Sequence, residues 1–521
     1  MIETTETTNT TKTTETDLEL ATKSRLAGFA ALFSMAFWRD WFVRPCGGRE
    51  VLWLAAPIVV SSGSIAIMNF ADRVFLTWWD KDAMSASFTS GFLFFGLTAF
   101  PFGIATFVNA FVAQYFGAKQ DRRVGPIVWQ GVFVGAVFGP LFILATPLVE
   151  QIFVAFKHSP EIVRFETVYW FYFSLSAPAL IANESLAAFF SGRREMKTVM
   201  VAGLIAVFLN VVLDYLLIFG VRGYCAWGIA GAAIATSISI WAKFFILLAK
   251  MLKVDREGRY NVRGGFRFDR SEFSRLFRFG ARSSAQTTGE NWCYTLFILL
   301  IGVCGETASA ATAIAFNLDF LAFMPIVGIG VAVTTLVGNQ VGAGVPDLAV
   351  RATKTSVALA APIIGVLTLA FLVAPGFFLD FYAMKNPAEF EPIRETATRV
   401  LRFVSVYLLA DALNVIFASA LRGAGDANFI MKTTLAVFVP IVIAAFVGVF
   451  GFGRGVYWCW SLMTLYIVSA GTLFAVRFYR GAWRNATLVE LDLLDEPQST
   501  ETPTAQDLNA EPKRDSAAPS V

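Results

Sequence analysis

Long apolar stretches recur along this chain, each of about 20 residues or more and separated by short polar breaks. A helix rises about 1.5 Å per residue, so every stretch is long enough to cross about 30 Å of hydrocarbon. The pattern predicts twelve transmembrane helices, over 51–78, 86–116, 125–148, 162–190, 197–219, 226–252, 273–303, 308–340, 352–376, 393–421, 429–451 and 456–480. The Thr/Glu tract at 1–22 and the acidic, Pro-containing segment 488–521 have little to bury and read as disordered tails. The stretch 30–43 (AALFSMAFWRDWFV) is too short to span, and Trp38, Trp41 and the flanking arginines suit a helix lying at the membrane interface.

Composition sets the solvent. The 521 residues are 56% hydrophobic, 15% aromatic and only 16% charged, with a mean hydropathy of +0.60. A soluble domain carries about 25% charged residues, so these numbers describe an all-α integral membrane protein. An even number of spans puts both tails on one side. The termini and alternate loops hold about 25 Lys/Arg near the helices against about 7 in the other loops, which makes the tail side cytoplasmic in a cell (inner) membrane. The expected organisation is therefore a cytoplasmic tail with interfacial segment (1–47), six helices (48–253), a basic cytoplasmic linker (254–272), six more helices (273–482) and a second tail (483–521).

Several chemistries are excluded. A net charge of +3 without a basic, aromatic-interleaved stripe does not suit nucleic acid. The five cysteines (Cys46, Cys225, Cys293, Cys304, Cys459) are scattered singly and His158 is the sole histidine, which removes zinc, haem and His-dependent nucleophilic catalysis. There is no phosphate loop, no dinucleotide fingerprint and no signal-peptide pattern. Neither an enzymatic activity nor a cofactor is expected.

The halves repeat. FPFGIATFVNAFVAQYFGAKQ (100–120) aligns with MPIVGIGVAVTTLVGNQVGAG (324–344), placing Gly103, Gln114, Gly117 and Ala118 on Gly328, Asn339, Gly342 and Ala343. FSGRRE (190–195) aligns with LRGAGD (421–426). Six helices per repeat make the two copies enter from the same side, giving parallel bundles with a cleft between them.

Candidate chemistry lies in carboxylates inside the spans, because a charged acid near the bilayer centre costs about 2.5–3.5 kcal/mol on insertion scales and is retained for a use. The candidates are Asp72, Glu184, Asp214, Glu290, Asp319 and Asp411, with few basic residues in the same spans. An acid without a counter-ion favours a bound proton or cation, the chemistry of an H+ or Na+ relay. Asn210 and Asp214 are four apart and share a helix face, as do Tyr407 and Asp411. The first pair offers an oxygen cage and the second suits an organic cation. Asp72, next to Arg73, also fits an interfacial ion pair, Glu184 fits a packing role, and His158 beside Ser159–Pro160 is expected to be incidental.

These residues resemble the multidrug and toxic compound extrusion (MATE) family of secondary antiporters over roughly 48–480. NVVLDYLLIFG (210–220) with GIAGAAIAT (228–236) is similar to that family's fifth-to-sixth-helix signature, MPIVGIGVAV with LVGNQVGAG (324–344) to its eighth, and LRGAGD to the end of its tenth. The resemblance implies a MATE-like fold and an amino-terminal cation site at Asp72, Asn210, Asp214 and Thr236, with Na+ as one occupant. It also implies a carboxyl-terminal site at Glu290, Tyr407 and Asp411; Asp319 has no family counterpart and adds negative charge there. A monomer suffices in such a family. Two departures stand out: Gly280-Ala281-Arg282 lacks the usual Pro, and LTWWDKD (76–82) replaces a small Gly-containing turn. The expected activity is efflux of amphipathic, often cationic, organic compounds across the lipid bilayer in exchange for H+ or Na+. The alternatives are a flippase of lipid-linked precursors and a narrow-substrate metabolite exporter.

Overall fold

The structure, a computed structural model, describes residues 35–156, 158–220, 226–383, 387–486 and 488. Both tails, apart from 35–47, 483–486 and 488, and Cys225 lie outside them. Helices dominate, and the described residues contain no strand. The short helix α1 (Met35–Val43) precedes α2 (Gly48–Trp79), then α3 (Lys81–Thr106) and α4 (Val108–Gly117), which form one span broken at Phe107. Next come α5 (Val124–Leu144), α6 (Thr146–Ala155), α7 (Pro160–Ser174) and α8 (Ala177–Ser191), the last two meeting at a 42° bend. The first half ends with α9 (Met196–Phe219) and α10 (Ile229–Val254). The second half consists of α11 (Arg270–Val303), α12 (Glu306–Gly342), α13 (Pro346–Val373), α14 (Pro375–Ala383), α15 (Pro387–Ala424), α16 (Ala427–Phe446) and α17 (Val456–Tyr479).

Ten spans among the described residues are long and apolar enough to cross a membrane, and the bent pair α7/α8 makes eleven. The remaining expected crossing is α11. At 34 residues it is long enough, but Arg270, Arg275, Arg278, Arg282 and Glu290 lower its apolarity. Its neighbours are α3 and α16. Helix starts follow local chemistry: Asp80 accepts from the Asp82 and Ala83 amides to open α3, and Asp269 accepts from Ser271 and Glu272 to open α11. The basic linker is tied down, since Asp255 accepts from the Tyr260 and Val262 amides and Trp129 of α5 donates to the Val262 carbonyl.

Four apolar clusters show how the halves meet. One contains first-half residues only (Leu76, Phe94, Phe153, Trp170, Ile218) and another second-half residues only (Phe297, Phe371, Tyr407, Trp460). The other two are mixed: Val124 and Leu276 pack in one cluster with Ala427 and Leu488, and Val51, Leu54 and Met196 pack with Val337, Ala349 and Phe478. The halves are thus joined near the ends of α4, α8 and α12, beside the chain termini, and have separate cores toward the opposite end.

Candidate functional site

The first half encloses a cavity of about 400 Å³. Phe88, Phe92, Phe95 and Phe102 provide aromatic wall, while Asp72, Arg73, Asn183, Glu184, Thr236 and Lys243 line it with polar groups. Behind it, Asn210 and Asp214 of α9 are completely buried. Asn210 Nδ2 donates to Thr236 Oγ1 (3.2 Å), whose hydroxyl donates to the Ala232 carbonyl (3.1 Å). Asp72 and Asp214 lie close enough for their charges to interact. Asp72 Oδ1, both Asp214 carboxylate oxygens and Asn210 Oδ1 are nonetheless buried with no donor. Four buried acceptors without a donor, on neighbouring side chains, make an all-oxygen donor set that fits H+ or Na+.

The second half holds a different network. Arg422 donates through Nε to Ser283 Oγ (3.1 Å) and through Nη2 to Gln286 Oε1 (3.0 Å), and Gln286 Nε2 donates to Glu290 Oε1 (3.1 Å). Asn414 lies near Glu290 and Asp411, and Tyr407 near Asp319, but the Tyr407 hydroxyl, Asp319 Oδ1 and Asn414 Oδ1 are buried without a hydrogen-bond partner. Asp411, Asp319 and Glu290 are near enough for their charges to interact. They do not converge on one metal position: no cluster of three or more metal-binding His, Cys, Asp or Glu residues occurs among the described residues. Tyr407 is buried, with its ring 6.1 Å from that of Trp460, so it offers no open face to an organic cation.

The junction between the halves is reciprocal. Asn339 Nδ2 donates to the carbonyls of Ala113 and Gly192 (2.9 Å each), and its repeat partner Gln114 donates through Nε2 to the Gly423 carbonyl (2.8 Å), Gly423 being the repeat partner of Gly192. Each amide oxygen accepts as well, Asn339 Oδ1 from Arg194 Nε (2.5 Å) and Gln114 Oε1 from the Leu488 amide (2.8 Å). Arg194 also pairs with Glu50. Asn109 Nδ2 donates to Thr335 Oγ1 (3.2 Å). The glycines explain the closeness: a Cβ on Gly117 would sit 2.0 Å from the Asn339 carbonyl oxygen, and one on Gly342 would sit 2.0 Å from that of Gln114.

Asp72, Asn210, Asp214 and Thr236 therefore come together in one place. Glu290, Asp319, Tyr407 and Asp411 share a second region rather than a single cage. Sequence reasoning weighed Arg73 beside Asp72 but missed Lys243 and Arg422. Arg73 and Lys243 reach the cavity wall, Lys243 offsetting Glu184, and Arg422 anchors the Gln286–Glu290 chain. The adjacency of Arg422 to the Gly423 of the repeat motif was a usable signal. His158 is not isolated: its Nδ1 lies 2.9 Å from the buried Glu166 carboxylate.

Two helical halves joined at one end, each with buried acids, define a multi-pass membrane transporter. The sequence matches the MatE family pattern over residues 57–216 and 284–447, and the chain belongs to that family, whose members are transporters rather than enzymes. It is 27% identical over 434 residues to a probable multidrug resistance protein NorM of Burkholderia mallei, covering 82% of this chain and 91% of that protein. It is 26% identical over 446 residues to the multidrug resistance protein PmpM of Pseudomonas aeruginosa, covering 84% and 92%. Its fold matches that of the eukaryotic MATE transporter AtDTX14 with a TM-score of 0.74 at 18% identity, covering 86% of this chain and 98% of that one. An outward-facing multidrug resistance MATE transporter gives 0.73 at 18% identity, covering 85% and 97%.

Proposed function

We propose that this protein exports amphipathic organic compounds in exchange for H+ or Na+ by alternating access of two six-helix lobes, residues 48–253 and 273–482. The observation that carries this reading is the set of orphaned oxygens on Asp72, Asp214 and Asn210 directly behind a Phe-walled cavity. A coupling ion neutralises the acids, and cargo held in the cavity competes with that ion or favours the opposite state; without one of these, no coupling arises. The reciprocal Gln114–Gly423 and Asn339–Gly192 bonds support a sealed inner end with a cleft open on the far side. The charge distribution supports a cytoplasmic side for the sealed end and both termini of a cell (inner) membrane protein.

Amphipathic organic cations are the principal cargo in this reading. Arg73 is drawn onto the Phe88 ring, with its guanidinium carbon 5.0 Å from the centroid, and Lys243 offsets Glu184, which leaves Asp72 and the buried Asp214 to attract positive charge. The Glu290, Asp319 and Asp411 region serves as a second cation or cargo site. One monomer contains every element required. Addition of a lipophilic cation to detergent-solubilised protein in weak buffer tests the reading: proton release that disappears in Asp214→Asn supports coupling, and cargo binding with no release of H+ or dependence on Na+ refutes it.

A further inference from the structure

A second cavity, of about 450 Å³, lies away from the cargo site, between α1 and the first turns of α13. Its lining includes Arg44, Arg351 and Lys354, together with Trp41, Thr355 and Asp347. The one acid is already engaged, because Asp347 Oδ1 accepts from Arg484 Nη2 at 2.9 Å. Arg44, Arg351 and Lys354 have no ion-pair partner among the described residues.

Two atoms at this place want a ligand. Thr355 is 1% exposed, and its Oγ1 has no hydrogen-bond partner. Its helical neighbours Thr353 and Ser356 satisfy their hydroxyls on the carbonyls of Ala349 and Ala352, the ordinary solution for a helix interior. Thr355 leaves that solution unused. Arg44 Nε is likewise buried without an acceptor. Orphaned donors beside cations call for an anion rich in acceptor oxygens, and a phosphate group meets that need.

We propose that this cavity binds the phosphate headgroup of an anionic lipid in the leaflet on the side of the termini. A lipid is favoured over free phosphate because α1 and α2 carry exposed apolar side chains beside the basic groups, Phe42, Val43, Leu52 and Trp53, against which acyl chains can lie. The bound lipid pins α1 to α13, and so links the first lobe's entry segment to the second lobe.

Native mass spectrometry of the purified full chain tests this with phosphatidylglycerol, phosphatidylcholine and inorganic phosphate as probes. The wild type retains one phosphatidylglycerol in preference to phosphatidylcholine, and millimolar phosphate does not displace it. Arg351→Gln with Lys354→Gln weakens retention about 25-fold, at about fivefold per cation facing an anionic lipid. Thr355→Val, nearly isosteric, weakens it severalfold and decides the matter if the double variant does not fold. Retention equal to wild type in the folded variants overturns the proposal, and so does displacement by phosphate alone, which marks a free-phosphate site.

Discussion

Asn339→Ala removes the amide that holds the two halves together at their shared end. Three hydrogen bonds go: to Ala113 O and Gly192 O at 2.9 Å, and from the Arg194 guanidinium at 2.5 Å. Two neutral bonds contribute about 1 kcal/mol each and the charge-assisted one about 1.5–3, so the sealed state loses about 3.5–5 kcal/mol. In the opened state water takes over these partners, and the loss falls on the sealed state alone. A shift of that size is a change of several hundred- to several thousandfold in the equilibrium between the two. Double electron–electron resonance on a cysteine-free background, with spin labels at Arg122→Cys and Val345→Cys, reads the separation. Wild type gives one short-distance population in detergent, and Asn339→Ala adds a longer one that dominates. Gln114→Ala acts in the same direction more weakly, because it loses two neutral bonds, to Gly423 O and from the Leu488 amide. A folded Asn339→Ala protein with an unchanged distance distribution refutes the view that this junction is a separable seal.

Gly342→Ala places a methyl 2.0 Å from the Gln114 carbonyl oxygen and costs the sealed state about 1–3 kcal/mol, seen as the same long-distance population; Gly365→Ala, facing open space, leaves the distribution as in wild type. Arg422→Ala strands Gln286 Oε1 and Ser283 Oγ, lowering stability by about 2–3 kcal/mol in denaturant unfolding in detergent, and Arg422→Lys recovers only part of it. Lys243→Gln leaves Glu184 unbalanced in the cavity wall, so binding assays show a severalfold gain for a cationic amphiphile relative to its zwitterionic analogue.

Most of the fold is legible in the chain because lipid imposes a length rule that hydropathy reads directly. The rule weakens where function places polarity in a helix. The Arg270–Arg282 stretch and Glu290 make α11 the least apolar of the expected crossings, although it is among the longest helices. The break at Phe107 and the bend between α7 and α8 left no mark in hydropathy, since local backbone geometry barely alters apolarity. The grouping of Asp72 with Asn210, Asp214 and Thr236 followed from family-like spacing, and α2, α9 and α10 bring these residues together. Lys243 and Arg422 escaped notice because opposite charges on different helices carry no sequence-local signature, whereas Arg73, adjacent to Asp72 on one helix, was legible. The seal was half visible: the repeat marked Gln114, Asn339, Gly117 and Gly342, but only three-dimensional structure shows each amide reaching the other repeat's glycine carbonyl across 309 and 147 positions.

The central claim is coupling through the buried acids. Its most direct test is the flux of a fluorescent organic cation in proteoliposomes under an imposed pH or Na+ gradient, comparing wild type with Asp214→Asn and with the pair Glu290→Gln and Asp411→Asn. The account predicts gradient-driven flux in the wild type that Asp214→Asn abolishes without preventing cargo binding, and the carboxyl-terminal pair then reports whether that lobe contributes. Gradient-driven flux that survives Asp214→Asn contradicts it.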